Sequence, residues 1–315
     1  MDVLMLGGTS FVGRAIVEDL LVSGHTPTIF SRGRTGVALF PDVERLVGDR
    51  DTGDYAALSG RQWDAVVDST AYVPRHVAQA VAALGGHQGR YLFISTGLVY
   101  DHAAASAGLT EASPRLPPFR DSEEIDDDTY GPLKVACEDD LLEHFADRLT
   151  IIRPGWVVGP NDREDRLTYW VRRGARQGPV AVPDRPDRPV QLIDVRDLAR
   201  LAVRLLEQQL PGAYNAVGPS PAVTFGELLR ACGIVKPVTV TGVDIDVPLL
   251  LPDEAWEVLL QISAEAAYTA GMSRTPLAET IADTRAWDQR RGEPPLGSWM
   301  SDEQEAALLE SSRSR

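Results

Sequence analysis

The first thirteen residues constrain this chain more than any other stretch. Asp2–Leu6 is almost continuously apolar and reads as a buried strand, which breaks into Gly7-Gly8-Thr9-Ser10-Phe11-Val12-Gly13 before a helical pattern over residues 14–22. Strand, glycine turn and helix in that order let a backbone approach a bound group, with free N–H groups and the positive end of the helix dipole aimed at it. The turn is therefore expected to cradle the pyrophosphate of a dinucleotide, although its spacing differs from a strict G-x-G-x-x-G.

The same rhythm continues. Residues 26–31, 43–47, 63–68, 91–95 and 150–153 are predicted strands separated by helical segments, and 190–193, a helix over 195–208 and an edge strand over 213–217 return to the pattern. Such alternation implies right-handed crossovers and a parallel sheet, with ligands at the carboxyl ends of the strands. Residues 161–189 break it, being dense in Arg, Asp and Pro. Beyond them, 224–232, 252–262 and 277–290 are expected to be helical, 238–243 extended, and 311–315 a frayed tail.

Length and charge bound the function. With 315 residues and 43% apolar content the chain can fill one large α/β unit or two smaller ones. Its net charge of −15 repels phosphate backbones, so neither a nucleic acid nor an anionic membrane surface is an expected partner. No apolar run approaches the ~20 residues of a membrane span, and Met1 is followed by no basic leader, so the expected location is cytoplasmic. Cys137 and Cys232 lack metal-ligand spacing and are expected to be packed thiols, with no metal site.

Three groups of residues carry chemistry. The second strand ends in Ser31-Arg32-Gly33-Arg34, where an acidic residue would bind the ribose 2′-hydroxyl of NAD. Two guanidiniums in its place predict a preference for the 2′-phosphate of NADP, through charge-assisted bidentate hydrogen bonds. Thr96 follows the fifth strand, where its hydroxyl can face a substrate oxygen. Tyr130 and Lys134 stand four residues apart at the start of a helix and share a face. A free tyrosine has a pKa near ~10, and an ammonium beside it favours the phenolate and brings its proton into play. The chain has only two lysines, Lys134 and Lys236, which makes Lys134 stand out further. The acids Asp126-Asp127-Asp128 ahead of this helix suit its N-terminus. Arg163, Arg166, Arg173, Arg185 and Arg188 could clamp a phosphate or carboxylate or form surface ion pairs, and Tyr72, Trp156 and Tyr169 could form an aromatic wall or simply core.

Taken in order, Gly7 to Gly13, Ser95-Thr96-Gly97-Leu98-Val99-Tyr100, Tyr130-x-x-x-Lys134, Arg153-Pro154 to Pro160 and Ile193-Asp194-Val195-Arg196-Asp197-Leu198-Ala199 resemble the extended short-chain dehydrogenase/reductase superfamily. More narrowly they resemble an atypical subgroup of its NAD-dependent epimerase/dehydratase branch, over about the first 220 residues. The resemblance implies a Rossmann-type, doubly wound α/β fold with about seven parallel strands. Residues 1–160 and 190–218 would form the NADP-binding domain, and 161–189 and 219–315 a smaller α/β substrate-binding region. Tyr130 would be the general acid/base, Lys134 would hold the nicotinamide ribose and lower the tyrosine pKa, and Thr96 would hydrogen-bond the reacting oxygen. Cofactor contacts would come from Gly7, Gly8, Thr9, Ser10, Phe11, Val12 and Gly13, from Ser31, Arg32 and Arg34, from Asp49 near adenine, from Ser69, Thr70 and Ala71, and from Pro154, Gly155, Trp156 and Val157. Tyr72, Trp156, Arg163, Tyr169 and Arg188 are the candidate substrate contacts. A homodimer through residues 74–84 and 130–145 is also implied.

Departures from the family pattern narrow the chemistry. Ser10 replaces the middle glycine of the turn. Gly97 and Leu98 stand where sugar-nucleotide dehydratases carry Asp-Glu, so dehydration lacks its acid and base, and Trp156 replaces an Asn that binds nucleotide diphosphates in 4-epimerases. The expectation is an NADP-dependent reductase or dehydrogenase acting on a secondary alcohol or ketone of a small molecule. The alternatives are an epimerase with tightly held cofactor, or a non-catalytic cofactor- or RNA-binding protein, since plastid relatives of the subgroup are known as RNA-associated.

Overall fold

A computed structural model describes residues 1–313 except 87, 105, 177, 220, 241–246, 252–253 and 297–298. Its centre is a seven-stranded, all-parallel sheet. The first half of the chain contributes β1 (Asp2–Leu6), β2 (Thr26–Ser31), β3 (Glu44–Val47), β4 (Trp63–Asp68), β5 (Gln88–Ile94) and β6 (Leu149–Pro154). Between them run α1 (Phe11–Val22), α2 (Pro74–Leu84) and α3 (Tyr130–Phe145). Then come β7 (Trp156–Val158), α4 (Arg166–Ala175), β8 (Val180–Pro183), β9 (Pro189–Val190), β10 (Leu192–Asp194), α5 (Val195–Glu207) and β11 (Gly212–Ala216). The chain ends with β12 (Val223–Thr224), α6 (Phe225–Ala231), β13 (Pro237–Val240), α7 (Glu265–Thr269), α8 (Leu277–Arg290) and α9 (Asp302–Arg313).

The sheet order is β11-β6-β5-β4-β1-β2-β3, so the strand sequence reverses direction between β1 and β4. A doubly wound sheet opens its ligand crevice at such a reversal. Alternate residues of β1 feed two cores. Val3 and Met5 pack with Ile16, Val17 and Leu20 of α1 and with Leu198 to Leu206 of α5, while Leu4 and Leu6 pack on the other face with Val77 and Ala80 of α2 and Leu141 and Phe145 of α3. A third cluster gathers Leu167, Tyr169 and Trp170 of α4, Val180 and Val182 of β8, and Phe225, Leu228 and Leu229 of α6. Leu259, Ile262, Ala267 and Met272 join the sheet's own core rather than this smaller cluster.

Several expected elements take a different form. The strand expected over 190–193 is two short ones, because buried Gln191 between them turns its amide to the backbone of Ile262. β9 thus pairs antiparallel with β12, and β10 parallel with β7. The helix expected over 252–262 is a 3₁₀ segment over Glu254–Leu260, and residues 252–253 and 241–243 of the expected elements lie outside the described residues. Of the tail expected over 311–315, residues 311–313 are the end of α9, and 314–315 lie outside the described residues. Ser301 and Gln304 cap that helix reciprocally, and its buried Glu305 accepts the Ala181 N–H at 3.1 Å and faces Arg173.

Candidate active site

The glycine turn is built as its sequence requires. Gly7 and Gly8 have φ of 111° and 93°, in the region that favours glycine. A Cβ on Gly7 would stand 2.6 Å from Ser69 Oγ, and one on Gly13 2.7 Å from the Gly8 nitrogen. Ser69 and Thr70, at the end of β4, close over the turn by donating their hydroxyls to the Leu6 carbonyl, each at 3.2 Å. Ser10, at the N-cap of α1, is extended and its hydroxyl caps no backbone N–H. The first-turn amides of α1 therefore have no side-chain acceptor, and the arrangement fits a dinucleotide pyrophosphate.

Tyr130 meets Thr96, and Lys134 reaches the backbone beyond β4 and at the end of β5. Asp126 closes the turn ahead of α3 by accepting the N–H groups of Asp128 and Thr129 at 3.0 and 2.8 Å, but the N-cap residue Thr129 makes no side-chain cap hydrogen bond and the first turn of α3 holds no acid, so the acidic run does not cap the helix as expected. Gly131 then lets the helix begin against the 97–99 turn, since a Cβ there would lie 2.3 Å from the Leu98 carbonyl oxygen. Burial pushes the Tyr130 phenol above its ordinary value and Tyr72 adds to this, while interaction with the Thr96 hydroxyl and the charge of Arg166 work the other way. The rings of Tyr72 and Tyr130 are 6.4 Å apart.

Lys134 is 2% exposed. Its Nζ donates to the carbonyls of Ala71 and Ile94, each at 2.8 Å, and lies 4.0 Å from the Phe93 ring centroid. An ammonium has three N–H groups, so one is left for another acceptor. Burial pushes Lys134 down to about 8, against the pull of Cys137, Asp68 and Glu138. Lys134 is not among the principal influences on the Tyr130 phenol, which are Tyr72, Thr96, Arg166 and Glu164 after burial.

The remaining candidates divide. Arg32 and Arg34 stand exposed at the end of β2 and make only loose ion pairs, Arg32 with Asp51 at 3.4 Å and Arg34 with Asp49 at 3.7 Å. Ser31 lies beside them, its Oγ accepting the Gly33 N–H at 3.4 Å. Thr9 shares a 3.2 Å hydroxyl contact with Thr35. Pro154 ends β6, Gly155 donates to the Ala216 carbonyl at 3.2 Å, and Trp156 and Val157 open β7. Tyr72 is 42% exposed and borders the site, whereas Tyr169 is fully buried with Arg173 stacked 3.8 Å from its ring centroid. Arg163 is exposed, and Arg188 is buried and paired with Glu257. Tyr169 thus packs in the third hydrophobic cluster, with Trp170 and Phe225. No group of ligating side chains for a metal occurs among the described residues.

Sequence reasoning missed two buried ion pairs that hold this site. Arg50 pairs with Asp68 at 2.6 Å and Arg153 with Glu138 at 2.7 Å. The second had a signal, because Glu138 falls four residues after Lys134 and eight after Tyr130, on one helix face.

A model of the NAD-dependent epimerase/dehydratase family matches residues 3–216. The chain belongs to that family. Within it and near it, the chain is 28% identical over 247 residues to a protein of Arabidopsis thaliana, the chloroplast stem-loop binding protein of 41 kDa b, covering 73% of this chain and 62% of that one. It is 25% identical over 254 residues to an epimerase family protein of Bos taurus, covering 74% and 80%. Among solved structures, a Thermus thermophilus UDP-glucose 4-epimerase in complex with NAD superposes with a TM-score of 0.68 at 21% identity, over 92% of this chain and 99% of that one. The seven-stranded Rossmann-type sheet falls in the part of the chain that the family model matches, and the likeness of fold to the epimerase structure extends beyond it. No helix among the described residues is long and apolar enough to cross a membrane.

Proposed function

We propose that this chain is an NADP-dependent oxidoreductase acting on a secondary alcohol or ketone of a small molecule, with Tyr130 as general acid/base. The observation that supports it is the interaction of Tyr130 with Thr96 together with the anchoring of Lys134, one helical turn on, to the carbonyls of Ala71 and Ile94. The pyrophosphate would lie on Gly7 to Gly13, with Ser69 to Ala71 and Pro154 to Val157 lining the way to the nicotinamide and Asp49 near adenine. The nicotinamide supplies or accepts the hydride when bound. Arg32 and Arg34 would take the 2′-phosphate. Their ion pairs are long and exposed, so little is lost when a doubly charged phosphate replaces them.

Lys134 offers its remaining N–H to a ribose hydroxyl. Thr96 holds the substrate oxygen, and Tyr130 moves the proton to or from it. The raised phenol keeps its proton at neutral pH, which suits proton donation to a carbonyl being reduced. Gly97 and Leu98 bring no carboxylate to the site, so elimination of water has neither acid nor base here. The smaller lobe, residues 161–189 and 219–315, would close over the substrate, with Tyr72, Trp156 and Arg163 its nearest candidate contacts, and a homodimer through α2 and α3 belongs to the same reading.

An epimerase is the second reading, favoured by the likeness to the 4-epimerase structure, which at 21% identity speaks to the fold. Titration of tryptophan fluorescence with NADPH and NADH tests both. Exchangeable NADPH bound more tightly than NADH is the expected result. Cofactor that copurifies and does not exchange supports the epimerase, and binding of neither overturns the catalytic reading. The printed name of the plant relative raises RNA binding, which a net charge of −15 disfavours; an RNA shift assay at physiological salt is expected to be negative.

A further inference from the structure

The Asp68 carboxylate at the end of β4 is fully buried yet surrounded by donors. Arg50 gives it Nη1 at 2.6 Å and Nη2 at 2.9 Å, Tyr91 its hydroxyl at 2.7 Å, and Thr70 and Ala71 their backbone N–H groups at 3.0 Å each. The Ala71 carbonyl, on the residue whose N–H Asp68 holds, accepts the Lys134 ammonium. Arg50 is fixed in turn by the Tyr55 hydroxyl at 3.1 Å, the Thr70 hydroxyl at 2.8 Å and the His76 carbonyl at 3.1 Å, which ties the assembly to α2.

We infer that Asp68, backed by Arg50, is a positioning residue for Lys134: it sets the Ala71 peptide that holds the ammonium and supplies a counter-charge to it. A buried ammonium persists only with acceptors and opposite charge nearby. The groups that act on Lys134 are Cys137 and Glu138 on its own helix, Asp68 from β4 and Arg50 from the loop after β3. The Cys137 thiol is itself pushed up to about 12 by burial, so it is uncharged where Lys134 titrates. Glu138 is already matched by two guanidiniums, those of Arg153 and Arg115. Asp68 is matched by one, and burial that would raise its carboxyl is overcome by Arg50 and the N–H donors, which hold it below the usual range. It is thus ionised over the range in which Lys134 titrates.

The inference rests on Lys134 serving the site as an ammonium, but its test reads Lys134 directly. The chain has two lysines, so protein labelled with 13C at the lysine ε carbon gives two signals, and Lys236→Arg identifies that of Lys134. Asp68→Asn keeps an acceptor for Thr70 and Ala71 but removes the charge, leaving Arg50 positive. The expected result is a Lys134 midpoint lowered by about one pH unit or more. Asp68→Asn/Arg50→Met removes both charges, avoids an unpaired buried guanidinium and should lower the midpoint by less; it decides the matter if the single variant does not fold. A midpoint unchanged or raised in either folded variant overturns the inference. A midpoint that falls as expected, with Lys134→Met retaining full turnover, overturns the catalytic reading alone and leaves the positioning role intact.

Discussion

Glu138, buried on α3 two turns beyond Tyr130, receives the guanidinium of Arg153 from β6 in a two-point contact, Nε to Oε1 at 3.0 Å and Nη2 to Oε2 at 2.7 Å. Ser95, the residue before Thr96, donates its hydroxyl to the same carboxylate at 2.6 Å, and Arg115 adds a second guanidinium at 3.0 Å. One side chain therefore joins the helix of Tyr130 and Lys134 to the strand end of Thr96. Glu138→Ala would leave Arg153 buried without its partner, and breaking such a pair costs about 3–5 kcal/mol. Urea unfolding should show that loss, with Glu138→Gln intermediate. An unfolding midpoint equal to that of the parent would remove this pair from the account of the site.

The sheet was legible because the pattern that encodes it is local. Val3 and Met5 face one core and Leu4 and Leu6 the other, so the strand reads as apolar throughout, and Gly7 and Gly8 mark where it must turn. Tyr130 and Lys134 were legible because helical spacing alone puts them on one face. The partners in Arg50–Asp68 and Arg153–Glu138 were not, even though Glu138 falls on the Tyr130 face of the helix, since they lie 18 and 15 residues apart and meet only through the strand crossovers. A charged residue in a sequence does not disclose that it will be buried. Likewise Ser311 to Arg313 look like a polar end until buried Glu305 and Arg173 are seen to fasten α9 to α4.

Replacing Tyr130 by Phe tests proton transfer separately from binding. The ring, and with it the packing against Tyr72, is retained, while the group that gives or takes the proton is lost. Turnover should fall about 10²–10⁴-fold, with NADPH affinity from fluorescence titration nearly intact. Full activity in this variant is incompatible with Tyr130 as the acid/base.

Cofactor choice turns on Arg32. Its guanidinium is exposed and spans 3.4 Å to Asp51, so Arg32→Ala sacrifices little within the protein. A charge-assisted hydrogen bond to a phosphate contributes roughly 1.5–3 kcal/mol, so NADPH affinity should fall about 10- to 100-fold relative to NADH. Titration with both nucleotides gives the ratio, and an unchanged ratio places the 2′-phosphate elsewhere.

The pH dependence of ketone reduction follows from two shifts of opposite sign. Burial lowers Lys134 to about 8, so its ammonium is complete well below that pH and is lost as pH rises through it. Burial raises the Tyr130 phenol above its ordinary value, so the acid keeps its proton over the same range. The first group to fail with rising pH is therefore the lysine. The kcat/KM for reduction should be level at neutral pH and decline above about 8, approaching tenfold per pH unit where the ammonium is required. Asp68→Asn should move that descending limb to lower pH, in step with the Lys134 signal. A limb that stays in place while the Lys134 signal moves would assign the decline to a different group, and the charge of Lys134 would then have no part in the rate.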